Sequence, residues 1–326
     1  MIQLKNPTTL LAKITAINEP FASIEEIARS LVYDSIHGPF DKSIKVKDNE
    51  LILHGKSIRV FHECKPENIK WKDTDVNYIL DASGQFSTVE LAMKHITAGA
   101  KKVIITTPSR NAPIFVKGVN FFNYRKSMKI VSCASCTTNC AAPIIKIIHD
   151  KFCVHNCLLT SVHSMTTSQT IQDDTTKIRS GPGNFIPSTT GAGKAVGILI
   201  PELQGKIHGD AVRVPIMNVS LLKLFINVKK EMTLDDVKKE IMEQAKSKMK
   251  GIVHYNDDYC VSSDFIGCEH SAVVDMNYMN AINKLILINA WYDNEKGYAK
   301  RVLDLLSYMI EKDAINGVEQ HEQNVC

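Results

Sequence analysis

Apolar positions between residues 13 and 150 alternate between short runs of period two and longer runs of helical spacing. Residues 13–18 read as a strand, and Ser23 with Glu26 forms a capping box at the head of a helix. Residues 50–61 are two alternating runs about His54-Gly55, the pattern of a hairpin. Residues 76–80 read as a strand, 87–98 as a helix and 101–106 as a buried strand. Residues 129–132 are a last short strand that feeds the apolar stretch 141–148. Strands separated by helices predict an α/β unit with a mostly parallel, doubly wound sheet. Beyond residue 155 the pattern changes to β-rich stretches at 157–165, 211–229 and 270–292, with helices over 233–248 and 298–312. Long consecutive strands with few helices predict an α+β unit with a mainly antiparallel sheet. Residues 317–326 are polar and read as a frayed tail.

Length and charge narrow the function without naming it. A chain of 326 residues exceeds one ordinary domain, so two are expected. Lys and Arg total 39 against 35 Asp and Glu, a net charge of +4 spread along the chain, so nucleic-acid binding is not indicated. No apolar run approaches the roughly 18 residues of a membrane span, and the opening residues lack a secretion signal, so the expected setting is cytoplasmic, away from membranes. In that setting the nine cysteines are expected as reduced thiols.

One of those thiols sits where a strand should hand over to a helix. In SCASCTTNC (132–140), Cys136 would lie among unsatisfied N–H groups at the positive end of the helix dipole, which favours thiolate. Ser and Thr beside it can cap the helix and present hydroxyls to an anion. Pro143 implies that this helix starts late or kinks. Alone, Cys136 reads first as a buried structural thiol. Cys133, Cys136 and Cys140 lack a clear fourth ligand, so no metal site is expected.

The segment SCASCTTNCAAP resembles the active-site segment of the glyceraldehyde-3-phosphate dehydrogenase family. So, in order, do YDSIHGPF (33–40), IKW (69–71), TSVHSMTTSQ (160–169), TTGAGKAVG (189–197), IPELQGK (200–206), AVRVP (211–215), VSSDF (261–265) and WYDNEKGY (291–298). The resemblance implies a Rossmann-like cofactor domain over 1–135, lacking its first strand and glycine-rich turn and completed by a C-terminal helix over 295–326, and a catalytic domain over 136–294. It implies Cys136 as nucleophile, with His163 activating it and then accepting a proton. Ser135, Thr137, Thr166, Thr190, Gly191 and Arg213 are implied to hold two phosphates, one on the substrate and one attacking. Glu19, Ser83, Gly84, Thr106, Asn294 and Tyr298 are implied contacts of NAD. The implied partners are glyceraldehyde 3-phosphate and inorganic phosphate, the reaction is the NAD-linked oxidative step of glycolysis, and the assembly is a homotetramer. The alternative is a family member that has lost turnover and acts by binding.

Several departures from the family pattern stand out. No glycine precedes Gly38, so the G-x-G-x-x-G turn expected to hold the pyrophosphate is not in this sequence, and weakened cofactor binding is expected. The stretch from His163 to Lys194 is about five residues short by alignment, and Pro182 stands in Gly181-Pro182-Gly183 where the family carries an arginine. Arg179 is a candidate replacement. Cys64 and Lys296 replace an arginine and a phenylalanine. Glu19 takes the place of the ribose-binding acid, which favours NAD over NADP by charge.

Overall fold

The structure is a computed structural model that describes residues 12–40, 43–173, 175 and 179–315. The frayed tail expected at 317–326 lies outside the described residues. The N-terminal half holds β1 (Ala16–Asn18), α1 (Ile24–Val32), β2 (Lys45–Lys47), β3 (Glu50–Leu53), β4 (Lys56–Phe61), β5 (Tyr78–Asp81), α2 (Val89–Thr97), β6 (Lys102–Ile105) and β7 (Ile130–Ser132). The capping box of α1 is present: Ser23 Oγ accepts from Glu26 N–H, and Glu26 Oε2 accepts from Ser23 N–H at 2.8 Å. The hairpin turns at His54-Gly55, where both residues take positive φ.

These strands fall into two sheets: β1-β4-β3-β2, in which only β1–β4 is parallel because the hairpin makes the other two pairs antiparallel, and the all-parallel β5-β6-β7. Among the described residues β1 and β5 each pair on one side only. The sheets share a core. Ala16 and Phe61 of the first pack on a cluster containing Trp71, Ile79 and Val103, and the Phe61 and Trp71 rings meet edge to face at 5.7 Å.

The second half holds α3 (Cys136–Phe152), β8 (Val154–His163), β9 (Ile186–Thr189), α4 (Ala192–Leu199), β10 (Ile207–Arg213), β11 (Ser220–Val228), α5 (Leu234–Lys246), β12 (Val253–Asn256), β13 (Ala272–Asp275), β14 (Asn280–Ile282), β15 (Leu285–Tyr292) and α6 (Lys296–Ala314). The sheet runs β12-β13-β15-β11-β8-β10-β9, with β14 on β15. It is mainly antiparallel, with parallel pairs β8–β10 and β12–β13. Leu222, Leu224 and Ile226 of β11 face the helices, whereas Phe225 faces outward and is exposed. The expected stretch 211–229 is two strands, broken where Pro215 removes a ladder donor and Val219 takes φ 67°. The stretch 270–292 is likewise three strands. Pro143 lies inside α3, which starts at Cys136 and continues through it.

Helix α6 returns to the first half through its last turn. Asp313 accepts from the hydroxyls of Tyr78 (2.7 Å) and Tyr124 (3.0 Å), and Lys102 Nζ lies 3.0 Å from its carboxylate. Asp313→Ala would leave a largely buried ammonium uncompensated. The expected cost is about 3 kcal/mol in urea unfolding, and adding Lys102→Met should recover most of it.

Candidate active site

The carboxyl ends of β1, β5, β6 and β7 are followed by Glu19, Ser83-Gly84, Thr106 and the run from Cys133 to Cys136. In open parallel sheets this edge is where ligands bind. Ser132 Oγ donates to Thr107 O at 2.6 Å and accepts from Ala134 N–H at 3.1 Å. Asn139 Nδ2 donates to Cys133 O and Ser135 O. The Tyr298 hydroxyl lies 2.6 Å from Thr106 O and 3.0 Å from Ala134 O, joining the ends of two strands. Held on all sides, Ala134 takes φ 58°, a left-handed conformation that costs a non-glycine residue energy and turns the chain abruptly into α3. Ser135 caps that helix, its Oγ accepting from Thr138 N–H at 3.1 Å. Cys136 is the first helical residue and is partly exposed, while Cys133 and Cys140 are buried.

His163 arrives from the last position of β8, and Arg213 from the last position of β10. The parallel register sets them side by side. Cys136 Sγ lies 3.5 Å from His163 Nε2. His163 Nδ1 lies 2.8 Å from Ser164 O and 2.6 Å from Arg213 Nη1, which also donates to Ser164 O at 3.2 Å. One ring nitrogen cannot donate to the carbonyl and accept from the guanidinium together. Against a permanent cation Nδ1 serves as the acceptor, which puts the ring proton on Nε2, facing the sulfur. Arg213 Nε is buried and has no hydrogen-bond partner among the described residues, so it is an unspent donor.

The helix terminus was expected to favour thiolate. In the substrate-free site the opposite balance holds: burial pushes the Cys136 thiol above its ordinary value and outweighs the opposing pull of Thr137 and Arg213. The resting pair is thiol and neutral imidazole. Burial first, and the Arg213 charge after it, lower His163 to about 4 despite the hydrogen bond the protonated ring would donate to Ser164 O. This shift makes stability depend on pH. The unfolded chain binds a proton here near pH 6.5 and the folded chain only near 4, so stability is full above 6.5 and falls as pH drops toward 4. The expected loss is about 3 kcal/mol across that window. Urea midpoints of His163→Gln compared with the native chain from pH 7 to 4 check it: the variant should show a shallower slope.

The other expected positions make mostly local contacts. Thr137 is turned inward, its hydroxyl 3.0 Å from the Tyr292 hydroxyl, which also meets Ser161 at 2.8 Å. Thr166 is held by its neighbours Ser168 and Gln169. Thr190 Oγ1 accepts from Ala192 N–H, and Gly191 is the exposed residue at the N-terminus of α4. Glu19 accepts from Phe21 N–H, Ser83 Oγ donates to Asp81 Oδ1 at 2.6 Å, and Thr106 Oγ1 donates to Asp81 O. Gly84, at φ 70°, has open space beside it. Arg179, the candidate replacement near Pro182, lies 3.7 Å from Asp173, with both side chains exposed. Asn294 offers a carboxamide whose Nδ2 has no protein partner among the described residues. With the open turn at Ser83-Gly84, this is a donor set that fits a dinucleotide ending in a carboxamide. Ser164, Ser220 and Tyr292, which brace these groups, were not foreseen. The only signal was period-two burial, which places a side chain inward but does not name its partner.

Family comparisons bear on the same residues. Residues 5–89 match the model of the glyceraldehyde 3-phosphate dehydrogenase NAD binding domain, and residues 135–294 match that of the C-terminal domain. The chain is 44% identical over 315 residues to the glyceraldehyde-3-phosphate dehydrogenase of Phytophthora infestans, covering 95% of this chain and 94% of that protein. It is 44% identical over 309 residues to that of Glossina morsitans morsitans, covering 93% of each chain. It is 43% identical over 303 residues to glyceraldehyde-3-phosphate dehydrogenase 3 of Saccharomyces cerevisiae, covering 91% of each chain. The chain belongs to the glyceraldehyde-3-phosphate dehydrogenase family. As a family member it has an NAD binding domain and a C-terminal domain that carries the thiol and imidazole described above. Among the described residues no helix is long and apolar enough to cross a membrane.

Proposed function

We propose that the chain is a cytoplasmic NAD-linked glyceraldehyde-3-phosphate dehydrogenase of glycolysis, converting glyceraldehyde 3-phosphate and inorganic phosphate to 1,3-bisphosphoglycerate. The observation that carries the reading is the Cys136 sulfur at a helix N-terminus, 3.5 Å from His163 Nε2, with Arg213 on the far side of the imidazole. Residues 1–135 with 295–326 form the NAD-binding unit, and 136–294 the catalytic unit; residues 1–11 and 316–326 of that division lie outside the described residues.

Arg213 grips the phosphate of the incoming aldehyde and so leaves the imidazole. Nδ1 then carries the proton and donates it to Ser164 O, which frees the Nε2 lone pair for the thiol proton. The sulfur forms a bond to the aldehyde carbon, His163 passes the thiol's proton to the oxyanion so formed, and it then takes that proton back from the hydroxyl as the carbonyl re-forms. NAD, when bound, supplies the acceptor for the hydride lost from that carbon. The product on Cys136 is a thioester. Phosphate oxygen attacks it, the C–S bond breaks, and the thiolate leaves, which conserves the oxidation energy in an acyl phosphate. Ser135, Thr166, Thr190 and Gly191 line the anion path, and Thr137 joins them by exchanging Tyr292 for the anion. Glu19, Ser83, Gly84 and Thr106 hold the dinucleotide along the strand ends, with Asn294 and Tyr298 at its nicotinamide.

Purified protein with NAD, aldehyde and phosphate should raise absorbance at 340 nm, and no rise would overturn the reading. A homotetramer is part of the proposal. The outward face of the larger sheet supports self-association: Leu158 is 62% exposed beside Phe225 and Leu285, around a depression of about 750 Å³. Light scattering on Leu158→Lys should report a smaller mass than on the native chain.

A further inference from the structure

Ser164, Ser220 and Asn294 come from three neighbouring strands. Ser164 follows β8, Ser220 opens β11 and Asn294 follows β15, and β11 pairs with both of the others. Ser164 Oγ donates to Asn294 Oδ1 at 2.9 Å and Ser220 Oγ to the same oxygen at 2.8 Å. Ser220 Oγ in turn accepts from Ser164 N–H at 3.1 Å. Both serines are fully buried.

Proton counting decides which way the carboxamide faces. Ser220 Oγ already accepts a backbone N–H, so its own proton needs an acceptor, and Asn294 Oδ1 is the one within reach. Ser164 Oγ, also buried, has Asn294 Oδ1 as the acceptor for its proton. Were the amide reversed, two buried hydroxyl protons would lose their acceptor at about 1–3 kcal/mol each. Asn294 therefore turns its NH2 away from the two serines, as a free donor.

Resting on the NAD reading above, we propose that Ser164 and Ser220 are positioning residues that fix Asn294 as a hydrogen-bond donor to the carbonyl of the nicotinamide carboxamide. The Ser164 carbonyl also lies 2.8 Å from His163 Nδ1 and receives its proton once Arg213 turns to the substrate, so one residue aligns the cofactor's reactive ring and the imidazole.

The test is calorimetric binding of three dinucleotides to the full chain: NAD, its 3-acetylpyridine analogue, and ADP-ribose. The analogue keeps the carbonyl and loses the amide NH2, and ADP-ribose lacks the ring. With a donor facing the ring, NAD and the analogue should bind the native chain within about threefold of each other. Asn294→Asp keeps the oxygen that both hydroxyls need and replaces the donor by an acceptor, so the analogue should fall about tenfold behind NAD. Ser164→Ala with Ser220→Ala should weaken NAD and the analogue by about five- to tenfold and leave ADP-ribose unchanged. A tenfold deficit of the analogue on the native chain overturns the orientation, and that arm needs no variant to fold. Equal weakening of ADP-ribose in the serine variant overturns the positioning role and leaves a structural one. No heat with either NAD or the analogue overturns the NAD reading itself, and this inference with it.

Discussion

Cys136→Ser is expected to lower turnover by roughly 10⁴-fold while changing unfolding free energy by less than about 1 kcal/mol. The two side chains differ by one atom, so packing at the head of α3 survives. The chemistry does not. A thiol loses its proton far more readily than a hydroxyl, and the base offered here is an imidazole held down to about 4. Such a base can share the proton of a thiol once substrate arrives, but it is far too weak to ionise an alcohol. Serine would also leave an ester, not a thioester, and phosphate could not open that at a useful rate. His163→Asn should cost less, roughly 10²- to 10³-fold, because the helix terminus still assists a thiolate formed by solvent. Single-turnover formation of NADH, with dinucleotide binding measured in parallel, separates loss of chemistry from loss of structure. Turnover of the serine variant within tenfold of native would mean that another group carries the acyl chain.

The sequence made some of this site legible and left other parts dark, for physical reasons. The junction at Cys136 could be read because capping, dipole and strand-to-helix handover are local properties of a few adjacent residues. The capping box at Ser23 and the hairpin at His54-Gly55 were local in the same way, and both are present. The break between β10 and β11 was missed because periodicity runs through residues 211–229, and what divides them is a Pro215 whose effect depends on where the ladder needs a donor. The protonation balance was missed for a similar reason. A helix N-terminus can be read from sequence, but the depth at which it is enclosed cannot, and enclosure proved the larger influence on Cys136. The bracing of Asn294 by Ser164 and Ser220 spans 130 and 74 positions, and only the strand order brings those residues together. Helix α4 was hidden because glycine is a poor helix former. Gly193 and Gly197 lie inside it because backbone passes within 2.9 Å and 3.2 Å of where a Cβ would stand.

Arg213→Leu is expected to reduce kcat/KM for the phosphorylated aldehyde by roughly 10³-fold, the loss of a charge-assisted grip on a dianion in a partly enclosed site. Unphosphorylated glyceraldehyde should respond differently. In the free enzyme Arg213 Nη1 sits 2.6 Å from His163 Nδ1 and holds the ring proton on Nε2, where it faces the sulfur it should be receiving a proton from. Removing the cation lets Nδ1–H donate to Ser164 O, already 2.8 Å away, and gives Nε2 its lone pair without help from any phosphate. It also removes one of the influences that lower the basicity of His163. Turnover of the neutral aldehyde should therefore hold within about threefold of native, or rise. Arg213→Lys keeps the charge and loses the fork, so it should fall between the two for the phosphorylated substrate. The measurement is the ratio of kcat/KM for the two aldehydes in each variant. Equal losses with both would mean that Arg213 serves the fold, and that the phosphate is caught elsewhere.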